Sequence, residues 1–150
     1  MAQSANEYLA NHDILTLATA SGSGAPNAAA MYYAAKGSAV YFSAFPESNT
    51  GKNLAENSKA AASIYEPSTD PSSARGVQMR GTVTELDGDE EAAAAALFAE
   101  KYPQLGDGVN HSHYWRLDPT DIKYTHNGEG GDSQGQSLGI TWESESVKPS

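Results

Sequence analysis

Short turns separate most of the β-rich segments of this sequence, and this feature limits the possible folds more than any other. β-branched and aromatic residues, bounded by glycine, proline and small polar residues, predict strands over residues 13–20, 28–35, 38–44, 60–66 and 75–86. A parallel pair needs a crossover of about a dozen residues or more, whereas Lys36 and Gly37 alone join the second strand to the third. The sequence therefore predicts a mainly antiparallel sheet, and closed antiparallel sheets of this size are typically small barrels.

The clearest strand is the one over residues 75–86. Its apolar face comprises Val77, Met79 and Val83. Gln78 and Arg80 lie on the opposite face, where a core would not cover them. An amide and a guanidinium in such a position can hydrogen-bond carbonyl groups or an anion. An ordinary solvated strand face would explain the same pattern.

Two segments carry the end signals of helices. Ser4 is placed to cap a helix over residues 4–13, and Glu7 completes a capping box. Residues 87–103 have acids in the first turn, alanines in the middle and Lys101 in the last turn, an order that suits the helix dipole. We therefore expect a mainly β fold with flanking helices.

The C-terminal part of the sequence gives weaker signals. Strands are predicted over residues 111–117 and 121–127, separated by a turn at Asp118-Pro119. Residues 128–137 are rich in glycine and polar side chains, and they predict a flexible or looping link. A last short strand is expected over residues 138–144.

The composition excludes several classes of function. The chain has 19 acidic and nine basic residues and a formal net charge of −10. Such a surface repels phosphate backbones and anionic membranes, so nucleic acid is not an expected partner. The absence of cysteine excludes disulfides, thiolate metal ligands and cysteine nucleophiles. No stretch approaches the roughly 18 apolar residues of a membrane span, and no signal peptide is recognised, so we expect a cytoplasmic protein.

A dense polar group stands where a further helix is predicted to begin. It comprises Ser48, Asn49, Thr50, Gly51 and Lys52. A helix N-terminus offers unpaired backbone N–H groups and a partial positive charge, and both attract an anion. The added donors, the glycine and the lysine would suit a phosphate. The alternative is an ordinary helix cap, which needs only one of these side chains.

Two histidines and a tryptophan stand close together near residue 113. His111 and His113 are predicted on one face of a strand, a spacing that metal ligands can have. No nearby carboxylate completes a ligand set, so we predict no metal site. Trp115 shares that face, and we expect it in the core or at a subunit contact. No nucleophile-elbow pattern is present, and the sequence identifies no catalytic residue.

The order of these segments resembles the FMN-binding split-barrel family related to pyridoxamine 5'-phosphate oxidase. The resemblance covers residues 5–127. It rests on "DILTLATA", "NAAAMYYAA", "AVYFSA", "LAENSKAAASIY", "RGVQMRGTVTEL" and the closing segment "YWRLDPTDIKYTHNG", in that order. It is strongest for a small bacterial subfamily that carries an "RGVQ" strand.

This resemblance implies a six-stranded antiparallel split β-barrel over residues 1–127, followed by a linking extension over residues 128–150. It also implies a homodimer that holds FMN in two equivalent clefts between its subunits. The phosphate would lie at residues 48–52, and the isoalloxazine ring would lie beside Tyr32, Gln78 and Arg80. The implied cofactor-binding residues are Tyr32, Ser43, Ser48, Asn49, Thr50, Lys52, Gln78 and Arg80.

The sequence also departs from the family pattern. The family often has a basic residue where this chain has Thr50, a basic residue where it has Ala30, and a threonine in place of Ser43-Ala44. Three functions therefore stay open. The first is a flavin-dependent oxidoreductase acting on a small molecule. The second is a non-catalytic module that binds or senses a flavin, haem or deazaflavin, and the third is a barrel that has lost its ligand.

Overall fold

The computed structural model describes residues 4–67 and 70–150. Within these ranges the helices are α1 (Ala5–Ala10), α2 (Asn49–Glu56) and α3 (Gly88–Lys101). The strands are β1 (Ile14–Ala20), β2 (Pro26–Lys36), β3 (Ala39–Ser43), β4 (Lys59–Tyr65), β5 (Arg75–Glu85), β6 (Tyr114–His126), β7 (Asp132–Ser137) and β8 (Ile140–Val147). Short 3₁₀ segments cover Pro71–Ser73 and Pro103–His111. None of the described helices is long and apolar enough to cross a membrane.

Six strands form a closed barrel in the order β3-β2-β1-β4-β5-β6, because β3 also pairs with β6. Every neighbouring pair is antiparallel. The predicted six-stranded antiparallel barrel is therefore confirmed. The hairpin between β2 and β3 lies at the predicted Lys36-Gly37 connection, where Gly37 has a positive φ of 61°.

Strand β6 changes its pairing partner along its length. Its first part pairs with β3, from Ser43 opposite Tyr114 to Val40 opposite Leu117. Its second part leaves β3 and pairs with β8, for example Ile122 opposite Val147. One strand therefore both closes the barrel and carries the outer β7–β8 hairpin.

The predicted turn at Asp118-Pro119 is wrong, because β6 continues through it. The β5–β6 register shifts between Arg80 and Gly81, which lie opposite Asp121 and Pro119. A bulge of this kind accepts a proline that a regular ladder would exclude. Glycine at position 81 makes the close approach possible, since a Cβ there would lie 2.7 Å from the Cα of Pro119.

The predicted link over residues 128–137 is wrong for Asp132–Ser137, which forms β7. All six residues of β7 are exposed, so the strand has no apolar alternation for sequence reasoning to detect. It is held by pairing with β8, for example Ser137 opposite Ile140. The connecting residues Leu138 and Gly139 both have positive φ, as tight hairpin turns require.

The core fills the barrel and continues beneath α3. The barrel core includes Leu15, Leu17, Tyr33, Val40, Phe42, Val77, Met79 and Leu117, all 2% exposed or less. Trp115 belongs to this core: its ring lies parallel to that of Phe42, and its indole N–H donates to the carbonyl oxygen of Ala44 at 2.9 Å. Tyr114 packs under α3 in a second cluster. Of the two places expected for Trp115, the structure therefore shows the core.

The helices begin where their end signals predicted. The Ser4 hydroxyl accepts from the Glu7 backbone N–H at 3.1 Å, which caps α1. Helix α3 begins at Gly88 with three acids in its first turn and ends at Lys101. Local end signals of this kind act within one turn, which explains why they can be read from sequence.

Candidate functional site

A cavity of about 800 Å³ opens on the outer face of the sheet, across β1, β4, β5, β6 and β8. We call it the sheet cavity. Side chains of Gln78, Arg80, Lys123 and Lys148 line it, together with small residues of β1 and β4. Cavities that bind cofactors typically have volumes of roughly 300–1,000 Å³. The size therefore suits an organic cofactor.

Cations are concentrated around the sheet cavity. Arg80, Lys123 and Lys148 line it, whereas Asp121 is the one acidic residue among the lining residues of the described chain. The whole chain has only nine basic residues and a net charge of −10. A positive lining on such an acidic protein favours an anionic ligand.

The antiparallel register of β5 and β6 places the polar groups side by side. Gln78 lies opposite Lys123, and Arg80 lies opposite Asp121. The guanidinium of Arg80 lies 3.6 Å from the Asp121 carboxylate, and both side chains are mostly exposed. The Gln78 amide nitrogen donates to the Tyr65 hydroxyl at 2.9 Å. This bond orients the Gln78 amide and leaves its oxygen able to accept from a ligand.

The floor of the sheet cavity is built from small side chains. Thr16 and Ala18 of β1 lie opposite Ser63 and Ala61 of β4. Side chains that alternate along a strand place these residues on the outer face, while Leu15 and the other apolar residues point into the barrel. Such a floor allows a flat ring to approach the sheet closely.

The polar group at the start of α2 does not line the sheet cavity. Ser48 caps α2: its hydroxyl accepts from the Gly51 N–H at 3.1 Å and donates to the Phe45 carbonyl oxygen at 2.6 Å. Thr50 is buried, whereas Asn49 and Lys52 are exposed. None of the ion pairs within residues 4–67 and 70–150 involves Lys52. The lysine is therefore free to contact an anion.

Tyr32 and Ser43 also lie outside the sheet cavity. Tyr32 projects from β2 with 60% of its surface exposed, and its ring meets that of Tyr102 edge-on, with centroids 5.7 Å apart. Ser43 is exposed at the end of β3. Of the residues predicted from the sequence, the structure thus brings Gln78 and Arg80 together in one cavity and places the others outside it.

Lys123 and Lys148 are the lining residues that sequence reasoning missed. Lys123 lies beside Gln78 only through the register of β5 and β6, which are separated along the chain by α3. Lys148 follows β8, a segment whose pairing the sequence did not predict beyond residue 144. Because this acidic chain has only nine basic residues, each of them is a candidate for binding an anion. That argument would have included Lys123 and Lys148.

His111 and His113 lie on different elements of the structure. His111 ends the 3₁₀ segment Pro103–His111 and bonds to Asp107, whereas His113 lies just before β6. The prediction that both share a strand face is therefore wrong. Within residues 4–67 and 70–150, no three His, Cys, Asp or Glu side chains are grouped closely enough to hold a metal ion.

Two ionisable groups with shifted pKa values, Lys101 and Tyr102, lie away from the sheet cavity. Burial lowers the pKa of Lys101, whose ammonium donates to the carbonyl oxygens of His12 and Tyr33. Burial and the nearby Asp13 raise the pKa of Tyr102 to about 12, and its hydroxyl donates to Tyr33 as well. These groups fasten the end of α3 to β2. Their shifts have a structural cause and identify no catalytic acid or base.

Comparison with known proteins establishes the family. The family model for pyridoxamine 5'-phosphate oxidase matches residues 1–126. The chain belongs to this family. A UPF0306 protein of Photorhabdus laumondii subsp. laumondii is 28% identical over 123 residues, which cover 81% of this chain and 85% of that protein.

Solved structures share the fold of this pyridoxamine 5'-phosphate oxidase family member. A haem binding protein from Mycobacterium smegmatis has a TM-score of 0.75 and 24% identity; the match covers 99% of this chain but 59% of that protein. The haem storage protein HutZ of Vibrio cholerae has a TM-score of 0.67 and 17% identity, with 75% and 85% of the two chains covered. At these identities the likeness establishes the fold alone.

Proposed function

We propose that this chain binds FMN at the sheet cavity and acts as a flavin-dependent oxidoreductase on a small molecule. The observation that carries the proposal is the grouping of Gln78 and Arg80 with Lys123 and Lys148 around one cavity. Membership of the pyridoxamine 5'-phosphate oxidase family supports redox chemistry. A bound FMN would supply that chemistry, while the protein binds and orients it.

The residues present fit a flavin. The small side chains of β1 and β4 allow an isoalloxazine ring to lie flat against the sheet. The Gln78 amide oxygen can accept from a ring N–H, and Arg80 can donate to a ring carbonyl or a phosphate. Lys123 and Lys148 add positive charge that favours an anionic cofactor.

A homodimer is part of this proposal. The outer faces of β1 and β2 expose large side chains next to alanines: Ile14 is 50% exposed and Tyr32 is 60% exposed. Exposed apolar surface of this kind favours contact with a second copy, and closed two-fold dimers are the commonest such assembly. A cofactor between two chains could contact the sheet cavity of one and residues 48–52 of the other.

Haem is the second candidate. Two proteins with the same fold are described as a haem binding protein and a haem storage protein. Haem is also flat and anionic, so the floor and the cations of the sheet cavity suit it. The start of α2 favours haem over FMN, because the family often carries a basic residue where this chain has Thr50. The chain therefore lacks one cation that could bind the phosphate of FMN.

Titration of the purified chain with FMN tests the first candidate. Arg80→Ala should weaken FMN binding about tenfold, since a charge-assisted hydrogen bond to the bound cofactor is lost. Lys59→Ala is the control, because Lys59 is an exposed cation on β4 outside the lining of the sheet cavity. Equal weakening in both variants would mean that only the overall charge matters, and the proposal would fail.

A further inference from the structure

A second cavity of about 500 Å³ lies between the outer sheet face and the β7–β8 hairpin. We call it the hairpin cavity. Gln78 and Lys123 line both cavities, so the two are neighbours that share a wall. The hairpin lies beyond residues 1–126, the part that the family model matches. The C-terminal extension therefore supplies one wall of this cavity, and β4, β5 and β6 supply the other.

Two aromatic rings and three amides stand among its eleven lining residues. Trp142 of β8 is half-buried, and Tyr65 of β4 is 43% exposed. Gln134 and Gln136 of β7 line the same cavity as Gln78, and their amides offer both donors and acceptors. Aromatic rings beside polar groups are the usual lining of sites for small planar molecules.

The charges of the hairpin cavity balance. Lys123 is its one cation and Glu143 its one acid among the described lining residues. The Glu143 carboxylate accepts from the Gly128 N–H at 3.1 Å, so it is engaged by the chain itself. The sheet cavity, by contrast, has three cations and one acid. The two cavities therefore suit different ligands, and the hairpin cavity suits a neutral one.

One buried hydroxyl of the wall is left without a partner. Ser144 lines the hairpin cavity and is only 2% exposed. Its hydroxyl has no hydrogen-bond partner within the part of the chain that the structure describes. Buried polar groups in native proteins almost always have a partner. The oxygen itself is enclosed by the surrounding chain, so a ligand in the hairpin cavity would contact the rings and amides that line it instead.

We infer that the hairpin cavity binds a neutral, planar aromatic molecule bearing carbonyl or ring-nitrogen groups, and that this molecule is the substrate held beside the cofactor. The inference rests on the proposed function, because it places the substrate against Gln78, which borders the cofactor. Trp142 stacks on the ring, and the amides of β7 bond its polar edge. The extension thus sets the substrate class on a barrel that is common to the family.

Binding of menadione, a neutral planar quinone, tests this inference in the full-length chain by titration calorimetry. Trp142→Ala should weaken menadione binding about three- to tenfold, because a stacking ring is lost. Trp142→Phe should restore most of the affinity. Leu138→Ala is the matched control: Leu138 lies in the same hairpin, is 84% exposed and lines neither cavity. The Leu138→Ala variant should bind menadione with the same affinity as the unaltered chain.

The same variants are titrated with FMN, so that the two proposals can fail separately. Loss of menadione affinity in Trp142→Ala with unchanged FMN affinity supports the hairpin cavity as a separate substrate site. Equal menadione affinity in the unaltered chain, Trp142→Ala and Leu138→Ala overturns the inference and leaves the FMN site untouched. Failure of the unaltered chain to bind FMN overturns the proposed function, and the substrate role of the hairpin cavity falls with it.

Discussion

The start of α2 allows a sharp test, because Gly51 packs against backbone. A Cβ at position 51 would lie 2.5 Å from the Pro46 carbonyl oxygen and closer still to that of Phe45. Both are backbone atoms, so no flexible side chain can move aside. Even a contact of 3.0 Å would require the loop to shift by about half an ångström. Gly51→Ala should therefore strain the loop that precedes α2.

Two opposing effects decide the magnitude. Alanine is favoured over glycine in a helix by about 1 kcal/mol, whereas overpacking costs roughly 1–3 kcal/mol. Because the clash involves two carbonyl groups, we expect a net loss of about 1–2 kcal/mol in the free energy of unfolding. For a chain of this size that lowers Tm by about 3–6 °C.

Thermal unfolding followed by circular dichroism measures this shift. Gly22→Ala is the control, because Gly22 adjoins the other end of α2 and donates to Glu56. A Cβ there would lie 3.7 Å from the nearest Glu56 atoms, an ordinary contact. Its Tm should stay within about 2 °C of the unaltered chain, the change that roughly 0.5 kcal/mol produces. A Gly51→Ala variant as stable as the Gly22→Ala variant would refute the close packing.

Three further predictions address the site and the core. Lys52→Ala should weaken FMN about tenfold but leave riboflavin unchanged, because riboflavin lacks the phosphate; equal losses in the two titrations would contradict a phosphate contact. Gln78→Ala should shift the spectrum of bound flavin while changing stability by no more than about 0.5 kcal/mol, and an unchanged spectrum would return Gln78 to an ordinary solvated strand face. Tyr102, whose pKa is raised from 10.0 to about 12, contributes stability that is complete below about pH 10 and lost as the pH rises towards 12. The alkaline fall in Tm should thus be smaller in Tyr102→Phe, and an identical fall would contradict this linkage.

The elements that sequence reasoning found are those with local signals. The caps at Ser4 and Ser48 act within one helical turn, and the Lys36-Gly37 connection fixes a hairpin between adjacent strands. The alternating faces of β5 likewise follow from the period of a strand. That alternation by itself is enough to assign Gln78 to the outer face of the sheet.

The remaining features depend on contacts between distant parts of the chain. Strand β6 passes through Pro119 only because Gly81 on β5 accepts the bulge. Strand β7 has no apolar face and is held by pairing with β8, which in turn pairs with β6. Lys123 reaches Gln78 through the register of the sheet. No local pattern encodes such pairings, so the sequence predicted Gln78 and Arg80 but missed Lys123, Lys148 and the hairpin cavity.

The visible absorption spectrum of the freshly purified chain tests the central claim most directly. The account predicts the two visible bands of a bound flavin, and their release as FMN, not riboflavin, when the protein is denatured. Added FMN should restore the bands to the refolded or ligand-free chain. A Soret band would assign the sheet cavity to haem instead, and a colourless protein that takes up no added FMN would contradict the claim that this cavity binds a flavin.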